Sequence, residues 1–425
     1  MRILHIAAKD IEGGAARATY RLHRGLLELG ADSRMLVREK SSSDPTVTQF
    51  NPPMDWKSRI LRRARREWIE VDRKRYEETR PSRCERFSDD RTRFGESLLD
   101  QLPEHDVVNL HWIGGFVDCC GMLTALASNA PVVWTLHDMN PITGGCHYDK
   151  GCGKHQQGCG ACPQLGSQTP DDLSHKVWRR KREVYGALGA DGLVFVPTSR
   201  WMEDQARNSR LVGKCEVRRI PYGLDTTLYN AKKVTAARRE LGFSSDAKLV
   251  MFAAQGVSNP RKGFSYLKKG LAKVDDISNL VLISVGAGRP PMKTSISHHH
   301  LGYIEDDRNL SVLYSSADVF VIPSLQEAFG QTALEAISCG TPVVGFDVGG
   351  IPDMVRPGET GYLAELRDAD DLARQIRRVL KHDGKSAEMS KRCREVALTE
   401  YNFRLQARRY LQLYWQMLGR WRGGK

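Results

Sequence analysis

Eight short, mostly apolar runs punctuate the chain: Ile3 to Ala7, Val107 to Trp112, Val132 to Leu136, Leu193 to Pro197, Leu249 to Ala253, Leu280 to Val285, Val319 to Pro323 and Pro342 to Phe346. Stretches with helical periodicity separate them. Runs buried on both faces with helices between them predict parallel sheets and an α/β fold. A polar, weakly patterned stretch near 228–245, containing Asn230-Ala231-Lys232-Lys233-Val234, divides a first set of strands from a fresh start at Lys248-Leu249-Val250-Met251-Phe252. This predicts two Rossmann-like halves, 1–230 and 240–398, facing each other across a cleft toward which the strand ends point, where ligands bind in such sheets. Beyond 399, Phe403, Tyr410, Leu413, Tyr414, Met417 and Leu418 recur at near-helical spacing and predict a closing helix.

Composition narrows the class. At 425 residues the chain is long for one core, and its 40% hydrophobic and 27% charged content is that of a water-soluble globular protein. No run approaches the roughly 20 apolar residues of a membrane span. The start, Met1-Arg2-Ile3-Leu4-His5-Ile6, reads as a first strand and not as a signal-peptide core, so a cytoplasmic location is expected. A formal charge of +13 favours polyanionic partners: nucleic acid, an anionic membrane face or a phosphate-bearing substrate. No nucleic-acid-binding motif is present, which leaves the last two.

The chemistry concentrates in Glu327-Ala328-Phe329-Gly330-Gln331-Thr332-Ala333-Leu334-Glu335. An apolar strand precedes it and a helix comes after, so the segment is a strand, a glycine turn and a helix start. The backbone N–H groups of Gly330, Gln331 and Thr332 would be donors of the helix's first turn, and the positive end of the helix favours a bound anion. Glu327 stands before the turn and Glu335 further along the helix. That spacing is too wide to share a proton but suits two hydroxyl-rich parts of one ligand with phosphates in its middle, which describes a nucleotide-sugar. Upstream, Asn259-Pro260-Arg261-Lys262-Gly263 offers Lys262, with help from Arg261, as a cation for phosphate oxygens. In the first half, Gly13 and Gly14 form a glycine turn opening a helix; the spacing is not G-x-G-x-x-G, which disfavours a nicotinamide-type dinucleotide. His137-Asp138 ends the strand that begins at Val132.

These motifs resemble those of the retaining nucleotide-sugar glycosyltransferases of family 4. The Glu327-to-Glu335 spacing is similar to the family's E-x7-E signature. Gly340-Thr341-Pro342-Val343-Val344 and Val348-Gly349-Gly350-Ile351-Pro352-Asp353 are similar to the family's sequence downstream of that signature. Pro221-Tyr222-Gly223-Leu224-Asp225 and Pro260-Arg261-Lys262-Gly263 extend the likeness upstream. The resemblance implies a GT-B architecture whose last helix returns to the first domain. It implies that Glu335 holds the ribose hydroxyls, that Glu327 and His137 meet the transferred sugar, and that the turn at Gly13 and Gly14 approaches donor phosphates or acceptor. Phe329 belongs to the same donor segment, and backbone near Tyr303 is expected to read the base. Family members use a front-face mechanism in which the leaving phosphate takes the acceptor's proton, so no protein nucleophile and no catalytic cofactor are implied. One departure stands out: Gln255-Gly256-Val257 puts Val257 where many members carry a second arginine.

Two further features point to the acceptor side. Cys146, Cys152, Cys159 and Cys162, with His147 and His155 nearby, fill an insertion spanning 143–165 that resembles one in a polysaccharide-synthesis branch of the family. Four thiolates suit a closed tetrahedral structural zinc; reduced thiols and labile disulfides are the alternatives. The six other cysteines, Cys119, Cys120 and Cys339 among them, show no pattern. Between Asp55 and Arg80, Trp56, Ile60, Ala64 and Trp68 form a stripe with Arg59, Arg62, Arg63, Arg65 and Arg66 around it. That helix suits either an anionic membrane surface or a solvated face packed on its own domain. Together these readings predict transfer of a sugar from a UDP- or GDP-sugar, with retention, to a cell-envelope or extracellular polysaccharide acceptor, lipid-linked or free, at the inner face of the plasma membrane. The rivals are an epimerase or phosphorylase on the same architecture, or a non-catalytic metal-stabilised binding protein.

Overall fold

The computed structural model describes residues 1–82, 84–119, 121–231, 234–244, 246–290, 296–381 and 383–423. Cys120 and the linker residues Lys232 and Lys233 lie outside them. The chain forms two compact units, the first made of Met1–Pro221 with Gln406–Lys425, the second of Tyr222–Leu405.

The first unit is built on a seven-stranded parallel sheet. In chain order its strands are β1 (Arg2–Lys9), β2 (Asp32–Glu39), β3 (Val47–Gln49), β4 (Val107–Leu110), β5 (Val132–Leu136), β6 (Leu193–Pro197) and β7 (Glu216–Val217). Their spatial order is β3-β2-β1-β4-β5-β6-β7. The order reverses between β1 and β4, which pair in register Ile3 with Val107. In sheets of this kind that reversal opens a crevice at the carboxyl ends of the strands. Helix Phe403–Gly423 closes this unit. Its Tyr410, Leu413, Tyr414, Met417 and Leu418 are buried with Ile3, Leu22, Val107, Val133 and Val194. Burying a side chain such as Leu or Met is worth about 1.5–3 kcal/mol. The two tyrosine hydroxyls are satisfied inside this core, one meeting Asn109 Nδ2 at 2.7 Å and the other Thr135 Oγ1 at 2.9 Å.

The second unit carries a six-stranded sheet of β8 (Lys248–Gly256), β9 (Leu280–Ala287), β10 (Ser297–His300), β11 (Val319–Ile322), β12 (Val343–Phe346) and β13 (Gly361–Ala364). Its order is β10-β9-β8-β11-β12-β13, again parallel throughout. Here the reversal falls between β8 and β11, which brings the loops after those two strands together. Those loops hold Lys262 and Glu327. No helix of the described residues is long and apolar enough to cross a membrane.

Candidate functional site

In the second unit, two glycines allow the loops to meet. Gly263 has φ +70°, and a Cβ there would lie 1.7 Å from the carbonyl oxygen of Pro323. Gly349, at φ +60°, would place a Cβ 2.0 Å from the carbonyl oxygen of Glu327, and the N–H of Gly350 donates to that same oxygen at 2.9 Å. The backbone on either side of Glu327 is thus clamped by positions that only glycine fills without strain. Gly330 then turns left-handed at φ +99° and starts helix Gln331–Ser338. Gln331 and Thr332 occupy its first turn, where backbone donors have no partner within the helix.

Within this clamp Glu327 is buried, and Lys262 Nζ donates to its Oε2 at 2.5 Å. Ser324 Oγ donates to the same oxygen at 3.2 Å, and Arg261 Nη1 stands 3.8 Å away while donating to the Gln326 carbonyl at 2.9 Å. Burial pushes the Glu327 carboxyl up, but the charges of Lys262 and Arg261 and the bonds from Lys262 and Ser324 outweigh it, leaving the pKa below the ordinary value. Glu335 is also buried, and the Tyr314 hydroxyl donates to its Oε2 at 3.0 Å. Tyr314 is buried itself, and desolvation followed by the Glu335 charge raises its phenol well above the usual range.

The structure thus joins Arg261, Lys262 and Glu327 and seats Glu335 further along the helix. Two further predicted residues lie in the same unit. The Phe329 ring is buried against Tyr222 and Tyr401 at centroid distances of 4.8 and 6.0 Å, and the residue as a whole is only 2% exposed. Tyr303 is an exposed side chain in the loop beyond β10, where Gly286 N–H bonds the Gly302 carbonyl at 2.8 Å. Val257 is buried and bonded through its N–H to Ala287, so the departing residue serves the fold. Sequence reading missed Tyr314 and Ser324; a buried phenol opposite the helix was the available signal, but its pairing is tertiary.

In the first unit Gly13, at φ +100°, caps helix Gly14–Glu28 directly after β1. His137 lies just past β5 and is nearly buried. Its Nε2 lies 3.0 Å from His111 Nδ1, and His111 Nε2 lies 2.9 Å from His5 Nδ1. Burial pushes His137 down to about 4, against the pull of Asp138, so its ring is neutral at neutral pH. Asp138 accepts from Trp112 Nε1 at 2.9 Å and stands 2.6 Å from His147 Nδ1, whose Nε2 reaches Ser88 Oγ at 2.8 Å. This Ser-His-Asp array has the contacts of a hydrolytic triad but is built as a brace. The Ser88 N–H is already given to the Gly145 carbonyl, and Gly114 closes on the hydroxyl so tightly that a Cβ there would lie 3.1 Å from it. His5, His111, Trp112 and Ser88 were not found from sequence, because nothing local marks them.

His147 belongs to the cysteine-rich insertion. Cys146 and Cys162 are buried with Phe87, Leu165, Leu173 and Val177 in a small core of their own. Gly144 N–H meets Cys159 Sγ at 3.1 Å. All four thiols are free. Burial raises each of them, Cys159 to about 12, and the Cys146, Cys159 and Cys162 thiols are raised further by neighbouring cysteines of the same set. Four sulfurs close enough to perturb one another have the donor chemistry of a zinc site. Even so, among the described residues no group of three or more His, Cys, Asp or Glu is set to hold a metal.

The basic helix, Trp56–Lys74, corrects an expectation. None of its residues is buried, and Trp56, Ile60, Leu61, Trp68 and Val71 are all more than half exposed. The inward side is polar: Arg62 donates to the Pro53 carbonyl, and Arg65 donates to Asp118 at 2.9 Å and to the Thr92 carbonyl at 3.2 Å. Two of the five arginines placed around the stripe therefore hold the helix to its own unit, while the stripe is mostly exposed, with the Trp68 ring lying 4.4 Å from the buried Arg91 guanidinium.

Residues 233–396 match the family model described as Glycosyl transferases group 1. This segment is similar to group 1 glycosyltransferase domains. It holds Arg261, Lys262, Glu327 and Glu335. N-acetyl-alpha-D-glucosaminyl L-malate synthase of Bacillus anthracis is 29% identical over 211 residues, covering 48% of this chain and 54% of that enzyme. The chain thus spans about half the length of that relative. D-inositol 3-phosphate glycosyltransferase of Xylanimonas cellulosilytica is 26% identical over 397 residues, covering 89% of this chain and 86% of that one. Among solved structures, sucrose-phosphate synthase from Thermosynechococcus elongatus superposes with a TM-score of 0.68 at 19% identity, over 99% of this chain and 100% of that one. HepE of Anabaena, solved with UDP and glucose, does so with a TM-score of 0.63 at 15% identity, over 97% and 99%. The matching segment therefore sits in a chain whose two parallel-sheet, Rossmann-like α/β domains have the GT-B fold.

Proposed function

We propose that the chain is a retaining hexosyltransferase that moves a sugar from a UDP- or GDP-sugar to a lipid-linked cell-envelope or extracellular polysaccharide. The observation that carries this reading is the pair of half-buried Lys262 and buried Glu327 beside the helix start at Gly330, with Glu335 buried further along. Lys262 exchanges part of its bond with Glu327 for the diphosphate oxygens, Arg261 and the first-turn N–H groups share that charge, and the released carboxylate meets the sugar hydroxyls. Glu335, braced by Tyr314, accepts from the ribose hydroxyls. The departing phosphate takes the acceptor's proton, so neither a protein nucleophile nor a divalent cation is needed. His137 holds a sugar hydroxyl from the first unit. The group 1 match and the resemblance to transferases favour transfer over epimerisation or phosphorolysis.

An anionic membrane face is the proposed platform. The outward apolar row of helix Trp56–Lys74 is flanked by Lys57, Arg59, Arg63 and Arg66, which complement acidic lipid. The insertion's thiols are proposed as a structural zinc site that closes on the ion; metal analysis of protein purified under reducing conditions tests this, with one zinc per chain expected. Function is tested by thermal shift against UDP- and GDP-sugars, then by proton NMR of the product with an oligosaccharide acceptor. Stabilisation by one donor and an unchanged anomeric configuration are expected. A free epimerised nucleotide-sugar, or an inverted product, overturns the reading.

A further inference from the structure

We infer that the cavity between helix Trp56–Lys74 and segment 93–97 binds the phosphate headgroup of an anionic lipid, held by Arg62 and Arg93. The inference deepens the proposed membrane platform and rests on that reading only for the source of the lipid. The platform is a diffuse attraction along the outer face of the helix; this is a pocket for a single head.

The helix brings four residues to the cavity: Ser58, Leu61, Arg62 and Arg65 are spaced i, i+3, i+4 and i+7 and so share one face. Arg93, Phe94 and Glu96 stand across from them, and Asp118 closes the far wall. The volume enclosed is about 470 Å³, within the ~300–1,000 Å³ usual for small-molecule sites. Gly95, at φ +55°, lets the opposing segment close on the helix, since a Cβ there would lie 3.3 Å from Arg65 Cζ.

Three guanidinium groups and two carboxylates line this space. Asp118 is committed: it accepts from Arg65 Nη2 at 2.9 Å and from the N–H groups of Thr92 and Gly121 at 3.3 and 3.4 Å. Arg62 donates to the Pro53 carbonyl and lies 3.9 Å from Met54 Sδ, while the Arg93 guanidinium rests 4.8 Å from the centre of the Phe94 ring. Neither set of contacts is with a carboxylate, so both charges remain for a ligand. Glu96 alone is left to oppose two guanidinium groups, and an anion balances the pocket. The hydroxyls add little, because Ser58 is spent on Asp55 and Ser97 on the Phe94 carbonyl at 2.7 Å. Recognition therefore rests on planar guanidinium forks, which match phosphate oxygens.

Leu61 defines the rest of the ligand. It is 64% exposed, and at 3.6 residues per turn it falls between the pocket residues and the stripe of Trp56, Ile60, Ala64 and Trp68. A head seated between Arg62 and Arg93 leaves over Leu61 onto that apolar row, which makes the ligand an amphiphile. Lys57, Arg59, Arg63 and Arg66 do not line the cavity, so its charge can be varied apart from theirs.

The test is calorimetry on the full chain with dihexanoyl phosphatidic acid below its micelle concentration. One molecule per chain is expected, bound at least about tenfold more tightly than inorganic phosphate or dihexanoyl phosphatidylcholine. Equal affinity for inorganic phosphate overturns the lipid assignment, equal affinity for phosphatidylcholine overturns the anionic one, and no binding overturns both. Arg93→Gln, at an exposed position, should weaken phosphatidic acid binding about tenfold, whereas Glu96→Gln should tighten it several-fold. Unchanged affinity in either variant removes the pocket. Replacing Lys57, Arg59, Arg63 and Arg66 with glutamine should lower retention on acidic vesicles yet leave phosphatidic acid binding within about threefold, because exposed charges are screened by salt. Loss of both together would show a diffuse basic surface and no pocket. Vesicle retention without headgroup binding sinks the pocket and leaves the platform standing; headgroup binding without vesicle retention does the reverse.

Discussion

The two units hold their candidate residues by opposite electrostatic means. In the second, a buried carboxylate is kept ionised by a lysine and an arginine; in the first, the strand-end histidine is kept neutral by burial, against the pull of Asp138, and lies beside a second imidazole. A charged pair is rearranged when an anionic ligand brings competing charge, because each partner can trade one ion for another. A neutral imidazole offers no such exchange.

Acid should separate the units most clearly. His23 and His137 sit near 4 when folded, against 6.5 as free side chains. Below pH 6.5 the unfolded chain binds protons that the folded first unit refuses until about pH 4, so stability falls as pH falls through that window. At about 1.4 kcal/mol per pKa unit, each of these histidines withdraws up to about 3 kcal/mol, with His5 and His111 adding in the same direction. Glu327, whose folded pKa is depressed, stabilises above the ordinary carboxylate range, and that contribution is lost only as pH falls through its lower folded value. Among the described residues of the second unit, His298 is the one histidine with a lowered pKa, and it is only partly buried. Peptide-resolved hydrogen exchange at pH 7 and pH 5 should show first-unit peptides losing protection first. Equal loss in both units would break the comparison.

Next in size is the ion pair. Lys262→Ala should weaken UDP or GDP binding by ~1.5–3 kcal/mol, the worth of a charge-assisted hydrogen bond, while Glu327→Ala should reduce turnover more than nucleotide affinity. Calorimetry and initial rates check both, and unchanged affinity in Lys262→Ala removes it from the donor site. A smaller effect is expected on the basic helix: replacing Lys57, Arg59, Arg63 and Arg66 with glutamine should cost about 1 kcal/mol of vesicle binding per charge, read by sedimentation with acidic liposomes at moderate salt. Donor hydrolysis should be untouched. Full retention on the vesicles would return the helix to the role of a solvated face.

Much of this was legible because it is local. The runs Val132 to Leu136 and Leu193 to Pro197 coincide with β5 and β6, and each of the other six overlaps a strand. β2, β3, β7, β10 and β13 were not read. β2 carries Asp32, Arg34, Arg38 and Glu39, β10 is Ser297-His298-His299-His300, and the rest are too short to show a period. The turn and helix start around Gly330 were legible from glycine placement. The partners were not: Tyr314 with Glu335, His147 with Asp138 and His5 with His111 are joined by strand order, which no residue spacing announces. The basic helix was found, yet the roles of Arg62 and Arg65 in holding it to its own unit were not, because a periodic stripe shows that a helix is two-sided without showing which residues reach the protein.

That outward stripe changes what a mutational scan would record. Tryptophan is elsewhere among the most damaging residues to lose, but Trp56 is 68% exposed and contributes little to the folded chain. Trp56→Ser should shift stability by less than ~0.5 kcal/mol, as surface changes do. A library scored by abundance would therefore call the outward stripe dispensable, whereas the proposed membrane platform predicts that the same library scored by binding to acidic vesicles finds it among the least replaceable segments of the first unit.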